Sequence, residues 1–394
     1  MLRAGDLSYR VRRGMGTLGT ALGIEALAVH ISLGSLSATA RRGGEQVTLV
    51  SEVAPLGVNT RRMGALEHLA QTAEQGVSAQ AVAARLDAIE AEPPVHRFAT
   101  LMAAGGMACG SFSFLNGGGP LEVLASLLGG AIGQAIRLLL SRGRFNQYAV
   151  TALCAVIASS AYCLVATILG HTGFAVPRHA AGFISSVLFL VPGFPLIAAM
   201  VDLLHQQMAC GISRMVYGGM ILVGAAFGVS LVCAVAGLTA QTPPPLLLSE
   251  PATLLLRAVA SVVGGCSFAI MYNSSWRIVQ VVGGLSLIGN ELRLALHDSG
   301  IPLAPASFAG GLTVGMLSSL VLRRFHEPRT ALTVPSIIIM VPGTYAFQAV
   351  IFFNQGDLQS GLQASFLCCS VVGAMALGLA VARFATVQEG RRES

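Results

Sequence analysis

The sequence predicts a polytopic α-helical membrane protein: about ten transmembrane helices arranged as two inverted five-helix repeats, behind a small N-terminal α+β domain. Three observations carry that expectation. The 394 residues are 54% hydrophobic and 11% charged, with mean hydropathy +0.71, where an average soluble domain is roughly 25% charged. Water is therefore not the chain's only solvent. From Arg97 onward, ten apolar runs follow one another, each long enough to cross a hydrocarbon core of about 30 Å. Two of those runs are interrupted by the same tripeptide, Val191-Pro192-Gly193 and Val341-Pro342-Gly343, 150 positions apart.

The N-terminal stretch, residues 1–95, reads as a soluble domain that would lie in the cytoplasm. "DLSYRVRRGMGTLGTALG" has helical spacing, and "EALAVHISLGSLSATA-RRGGE-QVTLVSEV" reads as two strands around a Gly-Gly turn. "NTRRMGALEHLAQTAEQG" offers Asn59 as N-cap and Gly76 as C-cap of a second helix. "SAQAVAARLDAIEAEPP" is an amphipathic helix stopped by Pro93 and Pro94. A unit of this size can fold with a modest core.

The spans are expected at 97–115, 119–141, 148–170, 180–203, 211–239, 252–272, 275–296, 303–322, 331–354 and 361–386, the first five within 96–240 and the second five within 245–390. Turn-forming segments such as "NGGGP", "QTPPP" and "NQGDLQSG" separate them. All 24 basic residues are Arg. With the N-terminal domain in the cytoplasm, eleven of those beyond Arg97 fall on the inner side and three (Arg178, Arg257, Arg293) on the outer side. That is a positive-inside bias, and it places both termini in the cytoplasm.

A shift of 156 residues aligns Ser111–Leu140 with Ser267–Leu296, matching Gly133 with Gly289 and Arg137 with Arg293; the offset drifts to 151 at Pro177-Arg178/Pro328-Arg329 and to 150 at the two Val-Pro-Gly tripeptides. Each copy holds five spans, an odd number, so the second enters the membrane upside down relative to the first. A Pro-Gly inside a span frees backbone groups that lipid cannot satisfy, so it survives only against a cavity or a packed neighbour. Breaks at equivalent places in two halves point to Pro192, Gly193, Pro342 and Gly343 as lining a central substrate site. The plain alternative is a packing kink.

Among polar residues, Asp202 near the cytoplasmic end of the fourth span and Glu291 in "GNELR" are the proton-coupling candidates, because a carboxylate inside a span is costly and usually faces the bundle interior. Asp202 could instead be an interfacial residue touching water, and Glu291 could pair locally with Arg293 or Arg137. Glu122 is expected at the outer interface. Asn116, and Asn273 and Ser274 in "YNSSWR", lie at equivalent junctions and offer neutral donors and acceptors for a substrate; the plain reading is helix caps. The eight Cys fall in apolar runs and read as small buried hydrophobes. No spacing suggests a metal site, a cofactor or a catalytic set, so an enzyme is not expected. One Trp and no basic cluster interleaved with aromatics argue against nucleic acid despite a pI of 9.1.

With "NTRRMGALEHL", ten spans and the paired "LVPGFPL" and "MVPGTYA" breaks in this order, the chain resembles the threonine/serine exporter family in its fused two-module form, over nearly its whole length. The resemblance implies efflux of threonine and serine across a bacterial inner membrane, driven by the proton motive force. The partners would be the amino-acid substrate, protons and the lipid bilayer, with a homo-oligomer left open. The alternative within transport is a dicarboxylate (succinate) exporter, which would want an Arg beside the central site; Arg137 and Arg293 read as span-end residues. From another class, the spans could form a membrane sensor signalling through the N-terminal domain.

Overall fold

The computed structural model describes residues 1–53, 57–143, 145–171, 180–236, 248–322 and 328–392. Pro177 and Arg178, one of the aligned pairs, lie outside them. The N-terminal stretch begins with α1 (Ser8–Ala21), continues through β1 (Ala26–Ile31), β2 (Ser35–Arg42) and β3 (Glu45–Glu52), and ends in α2 (Thr60–Thr72) and α3 (Ala79–Ala91). The sheet is antiparallel in the order β1-β2-β3. Three strands form where two were expected, because the first expected strand turns at Ser32–Gly34. The Ser32 amide there donates to the Ser35 carbonyl at 2.9 Å, and the two hydroxyls bond each other at 2.9 Å. Gly43 and Gly44 supply the positive φ angles of a two-residue hairpin, +59° and +84°. Asn59 caps α2, its side chain accepting from the Arg62 amide at 3.0 Å. That helix stops earlier than the sequence suggested, at Ala73. Gly76, three residues on and at φ +84°, instead turns the chain so that its amide reaches the Ala21 carbonyl at 2.8 Å.

Beyond Arg97 the chain is helical. The first half comprises α4 (Phe98–Leu115), α5 (Pro120–Leu140), α6 (Gln147–His171), α7 (Ala180–Ser185), α8 (Gly193–Leu204) and α9 (Met208–Ala236). The second comprises α10 (Glu250–Met271), α11 (Trp276–Asp298), α12 (Leu303–Leu322), α13 (Arg329–Ile338), α14 (Gly343–Asn354) and α15 (Leu358–Arg392). Eight of the helices among the described residues are long and apolar enough to cross a membrane, and two further bent pairs bring the number up to ten. The bends are 63° before α8 and 53° before α14, both at the Val-Pro-Gly tripeptides.

The two tripeptides have nearly the same backbone. Pro192 sits at φ −78°, ψ 54° and Pro342 at φ −80°, ψ 59°. In each, the glycine amide donates to the valine carbonyl two residues back at 2.8 Å. That is an inverse γ-turn, in which proline pre-sets φ and has no amide to leave unsatisfied. Glycine follows because space is short. A Cβ at Gly193 would lie 3.2 Å from Ile338, and one at Gly343 would lie 2.5 Å from Leu188. Each break therefore presses on the segment leading into the other.

Further positions correspond at the offsets read from the sequence. Asn273 (φ +59°) lies 156 residues after Gly117 (φ +86°), and Gly356 (φ +80°) lies 150 after Gln206 (φ +58°). These are left-handed turns closing α4, α10, α8 and α14, kept although the residue types differ. The bent segments form the middle of the bundle: Phe183, Leu188, Phe189, Phe194, Leu332, Ile337 and Phe347 are fully buried, as expected of spans apolar all round. The outer helices present bare apolar side chains instead, Phe227 at 64% and Phe366 at 76% exposure, as a lipid-facing surface does. None of the eight cysteines forms a disulfide among the described residues; Cys109, Cys154 and Cys210 are buried as expected, four others are half-buried, and Cys369 is exposed.

Candidate functional site

A cavity of about 240 Å³ lies against the first break. Phe189 to Pro192 form one wall, α5 gives Gln134 and Arg137, α6 gives Thr151, α9 gives Tyr217, and the end of α10 gives Tyr272. Gly57 and Val58 of the N-terminal stretch also line it. Arg137 is half-buried and donates from Nη1 to the Phe189 carbonyl at 3.3 Å. It forms no ion pair among the described residues. Gln134, one turn earlier on the same face, is 4% exposed, and its Oε1 has no hydrogen-bond partner. A buried acceptor left unpaired costs about 1–3 kcal/mol, so it marks a place where a ligand's donor is wanted. One half-buried cation, one free acceptor and several hydroxyls suit a small molecule carrying one carboxylate and at least one donor.

Of the residues singled out in the sequence, Pro192 lines this cavity and Gly193 directly follows it. Pro342, Gly343 and Asn116 come together at the other break, where the Thr344 hydroxyl donates to Asn116 Oδ1 at 3.3 Å. The corresponding contact at the first break is between the rings of Phe194 and Tyr272, 5.5 Å apart. Asn116 also ties back to its own helix, Nδ2 donating to the Phe112 carbonyl at 2.7 Å.

Asn273 and Ser274 face the N-terminal stretch. Asn273 Oδ1 accepts from the Val95 amide at 2.8 Å and its Nδ2 donates to Asn59 Oδ1 at 3.1 Å. Ser274 Oγ shares a 2.8 Å bond with the Thr60 hydroxyl, and its carbonyl meets His96 Nε2 at 2.7 Å. The loop between α10 and α11 is thus the socket for α2 and the connection out of α3.

Asp202 is fully buried rather than interfacial. It accepts from the Ser8 amide at 3.0 Å and the Ser8 hydroxyl at 2.8 Å, and it pairs with Arg214 Nε at 3.3 Å. Arg214, 1% exposed, donates onward to the Gly5 carbonyl at 3.1 Å and the Asp6 carbonyl at 2.5 Å. Asp202 therefore caps the start of α1, whose own N-cap Leu7 has no side-chain acceptor. The same segment is braced by Asp6–Arg10 at 2.7 Å and Arg10–Glu67 at 2.5 Å. Burial pulls the Arg10 pKa down, but Asp6 and Glu67 outweigh it and hold it above the ordinary value. Tyr9 reaches α15 and α8 at once, stacked on His205 at 4.3 Å with the Arg383 guanidinium 4.4 Å over its ring. Burial raises its pKa, against Arg383.

Glu291 pairs with neither Arg293 nor Arg137; its Oε1 accepts from Ser261 at 3.1 Å. Arg293 donates instead to Asn290 Oδ1 at 3.1 Å and to the Met340 carbonyl at 3.5 Å. Both arginines read as span-end residues thus reach the carbonyls just ahead of the breaks. Glu122 is buried, not interfacial, and caps α5 by accepting from the Gly119 amide at 2.8 Å. Sequence reasoning missed Gln134, Tyr217 and the buried Arg214. For Gln134 a signal was present: "IGQAIR" and "IGNELR" repeat an amide and an arginine three residues apart.

Comparisons with known proteins agree over most of the chain. Residues 1–236 match the family described as "Putative threonine/serine exporter", and residues 257–385 match "Threonine/Serine exporter, ThrE". A "Probable threonine/serine exporter" of Mycobacterium tuberculosis is 24% identical over 364 residues, covering 88% of this chain and 66% of that protein. The chain thus spans just under two thirds of that relative's length. The "Probable succinate transporter subunit YjjP" of Klebsiella aerogenes is 25% identical, covering 60% of this chain and 90% of that protein. Its namesake in Escherichia coli K12 is 25% identical, covering 60% and 91%. No solved structure matches significantly.

Proposed function

The chain belongs to the threonine/serine exporter family, and from that premise we propose a secondary active exporter of threonine and serine, driven by the proton motive force across a bacterial inner membrane. The observation that carries the substrate class is the cavity at the first break, where Arg137 and the unpartnered Gln134 Oε1 face one small volume. Arg137 would take the substrate carboxylate, and Gln134 Oε1 with the carbonyls around the break would take the ammonium. Thr151 and Tyr217 lie within the same wall for the side-chain hydroxyl. A dicarboxylate, the cargo in the printed names of the YjjP relatives, is the second reading. It would need a second cation, and Arg137 is the one charged residue lining this cavity among the described residues.

The proposed organisation is a cytoplasmic domain at 1–95 and two five-span repeats, 96–240 and 245–390, inverted relative to each other. Two features support it: the crossed contacts Asn116–Thr344 and Tyr272–Phe194, and the left-handed turns at matching offsets. With both termini cytoplasmic, as the arginine distribution favours, the cavity opens inward beside Gly57 and Val58. Pro192 and Gly193 would border the substrate on this side, and Pro342, Gly343 and Asn116 the path beyond. Asn273 and Ser274 would hold the wall that carries Tyr272. Asp202 and Glu291 are carried forward as the proton-coupling candidates. A proton on Asp202 would loosen the clamp on Ser8 and Arg214, whereas one on Glu291 would alter its contact with Ser261.

The test is efflux of preloaded labelled threonine, serine and succinate from proteoliposomes, with and without a pH gradient. Threonine and serine leaving faster under the gradient is the expected result. Succinate moving alone would transfer the assignment to dicarboxylates.

A further inference from the structure

The amide–arginine pair that faces the inner cavity has a counterpart in the second half. Gln134 and Arg137 on α5 correspond at the 156-residue offset to Asn290 and Arg293 on α11. Each arginine donates to a carbonyl just ahead of a break, Phe189 at 3.3 Å and Met340 at 3.5 Å. The glycine preceding each amide lies close against the broken span. A Cβ on Gly133 would lie 2.7 Å from the Phe189 ring, and one on Gly289 would lie 2.7 Å from Met340. The same device is thus built twice, but in two states. In the first half the amide oxygen is free and a cavity stands in front of it. In the second half Asn290 is fully buried, its Oδ1 taken by Arg293 and its Nδ2 donating to Ser261 Oγ at 2.8 Å. One residue difference accompanies this: Ser261, which accepts from Asn290 Nδ2, is matched by Gly105, which has no side chain.

Resting on the reading of the inner cavity as the substrate site, we propose that Asn290 and Arg293 form a second, outer substrate station, closed in this conformation. It takes the same class of ligand, a small molecule with one carboxylate and one amine. When the broken spans re-pack, Arg293 leaves Asn290 and Met340 to receive the carboxylate, and Asn290 Oδ1 receives the ammonium. Arg137 and Gln134 then close on each other as the outer pair does here. Equivalent halves exchanging conformations around a shared centre is how alternating access arises from a repeat.

The experiment uses the full chain in proteoliposomes. Leu190→Cys, at the inner cavity wall, and Met340→Cys, beside Arg293, are treated separately with a membrane-impermeant maleimide from each side, the parent chain giving the background of native thiols. Leu190→Cys is expected to react from the side of the N-terminal domain and to be protected by threonine. Met340→Cys is expected to react from the opposite side only while a threonine gradient drives turnover. Arg293→Gln is expected to lower efflux roughly tenfold or more, the loss typical of a charged hydrogen bond, while threonine still protects Leu190→Cys. Arg293→Lys, which keeps the charge without the fork, should recover part of the flux. A Met340→Cys that stays inert during turnover, or Arg293→Gln transporting at the parent rate, overturns the outer station alone. Failure of threonine and serine to protect Leu190→Cys overturns the inner-cavity reading, and the outer station with it.

Discussion

Replacing Asp202 by Ala removes the one carboxylate among the described residues that pairs with Arg214, which is 1% exposed and bonded otherwise to the Gly5 and Asp6 carbonyls. A buried cation deprived of its partner costs about 3–5 kcal/mol. The two bonds from Ser8 at 3.0 and 2.8 Å are lost with it, and the first of these caps α1, where losing a cap costs about 1 kcal/mol. These groups form one network, so the figures do not add, and a total near 4 kcal/mol is expected by the same measure as for the buried pair alone. Asp202→Asn keeps one acceptor for the Ser8 amide but turns an amide towards Arg214, so it should fall between the parent and Ala. Adding Arg214→Met to Asp202→Ala should recover most of the loss, because the stranded charge is gone. Thermal unfolding in detergent measures the order parent, Asn, Ala, and limited proteolysis reads release of residues 1–22. Asp202→Ala unfolding at the parent temperature with its N-terminal segment still protected would refute the reasoning. If Asp202→Asn kept its stability and lost only the response to a pH gradient, Asp202 would be acting as a proton carrier rather than a clamp.

Removing the orphaned acceptor with Gln134→Leu should leave the unfolding temperature unchanged or raised while threonine affinity falls by roughly tenfold, measured by equilibrium binding. Gly343→Ala should damage transport and stability more than Gly193→Ala, since the added Cβ meets Leu188 at 2.5 Å rather than Ile338 at 3.2 Å; overpacking of this kind costs about 1–3 kcal/mol, and paired unfolding and efflux measurements rank the two. Asn273→Ala should expose the connection at 92–97 to protease, because it deletes the bonds to Val95 and Asn59 and places an alanine at φ +59°. Asn273→Gly, free of the backbone strain, should be less affected.

The spans were legible because lipid imposes a simple rule: every crossing segment must be apolar and helical. The expected limits fall within a few residues of those formed, from α4 at Phe98–Leu115 to α12 at Leu303–Leu322. The breaks were legible because Pro and Gly have few uses inside a span, and the Val-Pro-Gly pair marks both bends. What escaped was the destination of long polar side chains. Arg137 lies in the last turn of α5 and Arg293 near the end of α11, where sequence position suggests an interface, yet their stems let the guanidiniums reach carbonyls of a neighbouring span. Arg214 was counted as an inner-side charge and is instead buried under the N-terminal segment, because its partners lie some 200 positions away in the chain. Asn273 and Ser274 read equally well as ligand contacts or caps. Their partners Thr60, Val95 and His96 became visible only once α2 was docked on the α10–α11 loop. The third strand was missed because Ser32–Gly34 makes its turn with Ser–Ser bonds rather than with a two-glycine signature.

The most direct measurement compares proton-gradient-driven efflux of threonine and serine from proteoliposomes by the parent chain and by Arg137→Gln, with unfolding temperatures taken alongside. If the cavity at the first break receives the substrate carboxylate, Arg137→Gln keeps its fold, and its efflux and threonine binding both fall by roughly tenfold or more. Parent-level efflux by folded Arg137→Gln would contradict that assignment and move the substrate site elsewhere in the bundle.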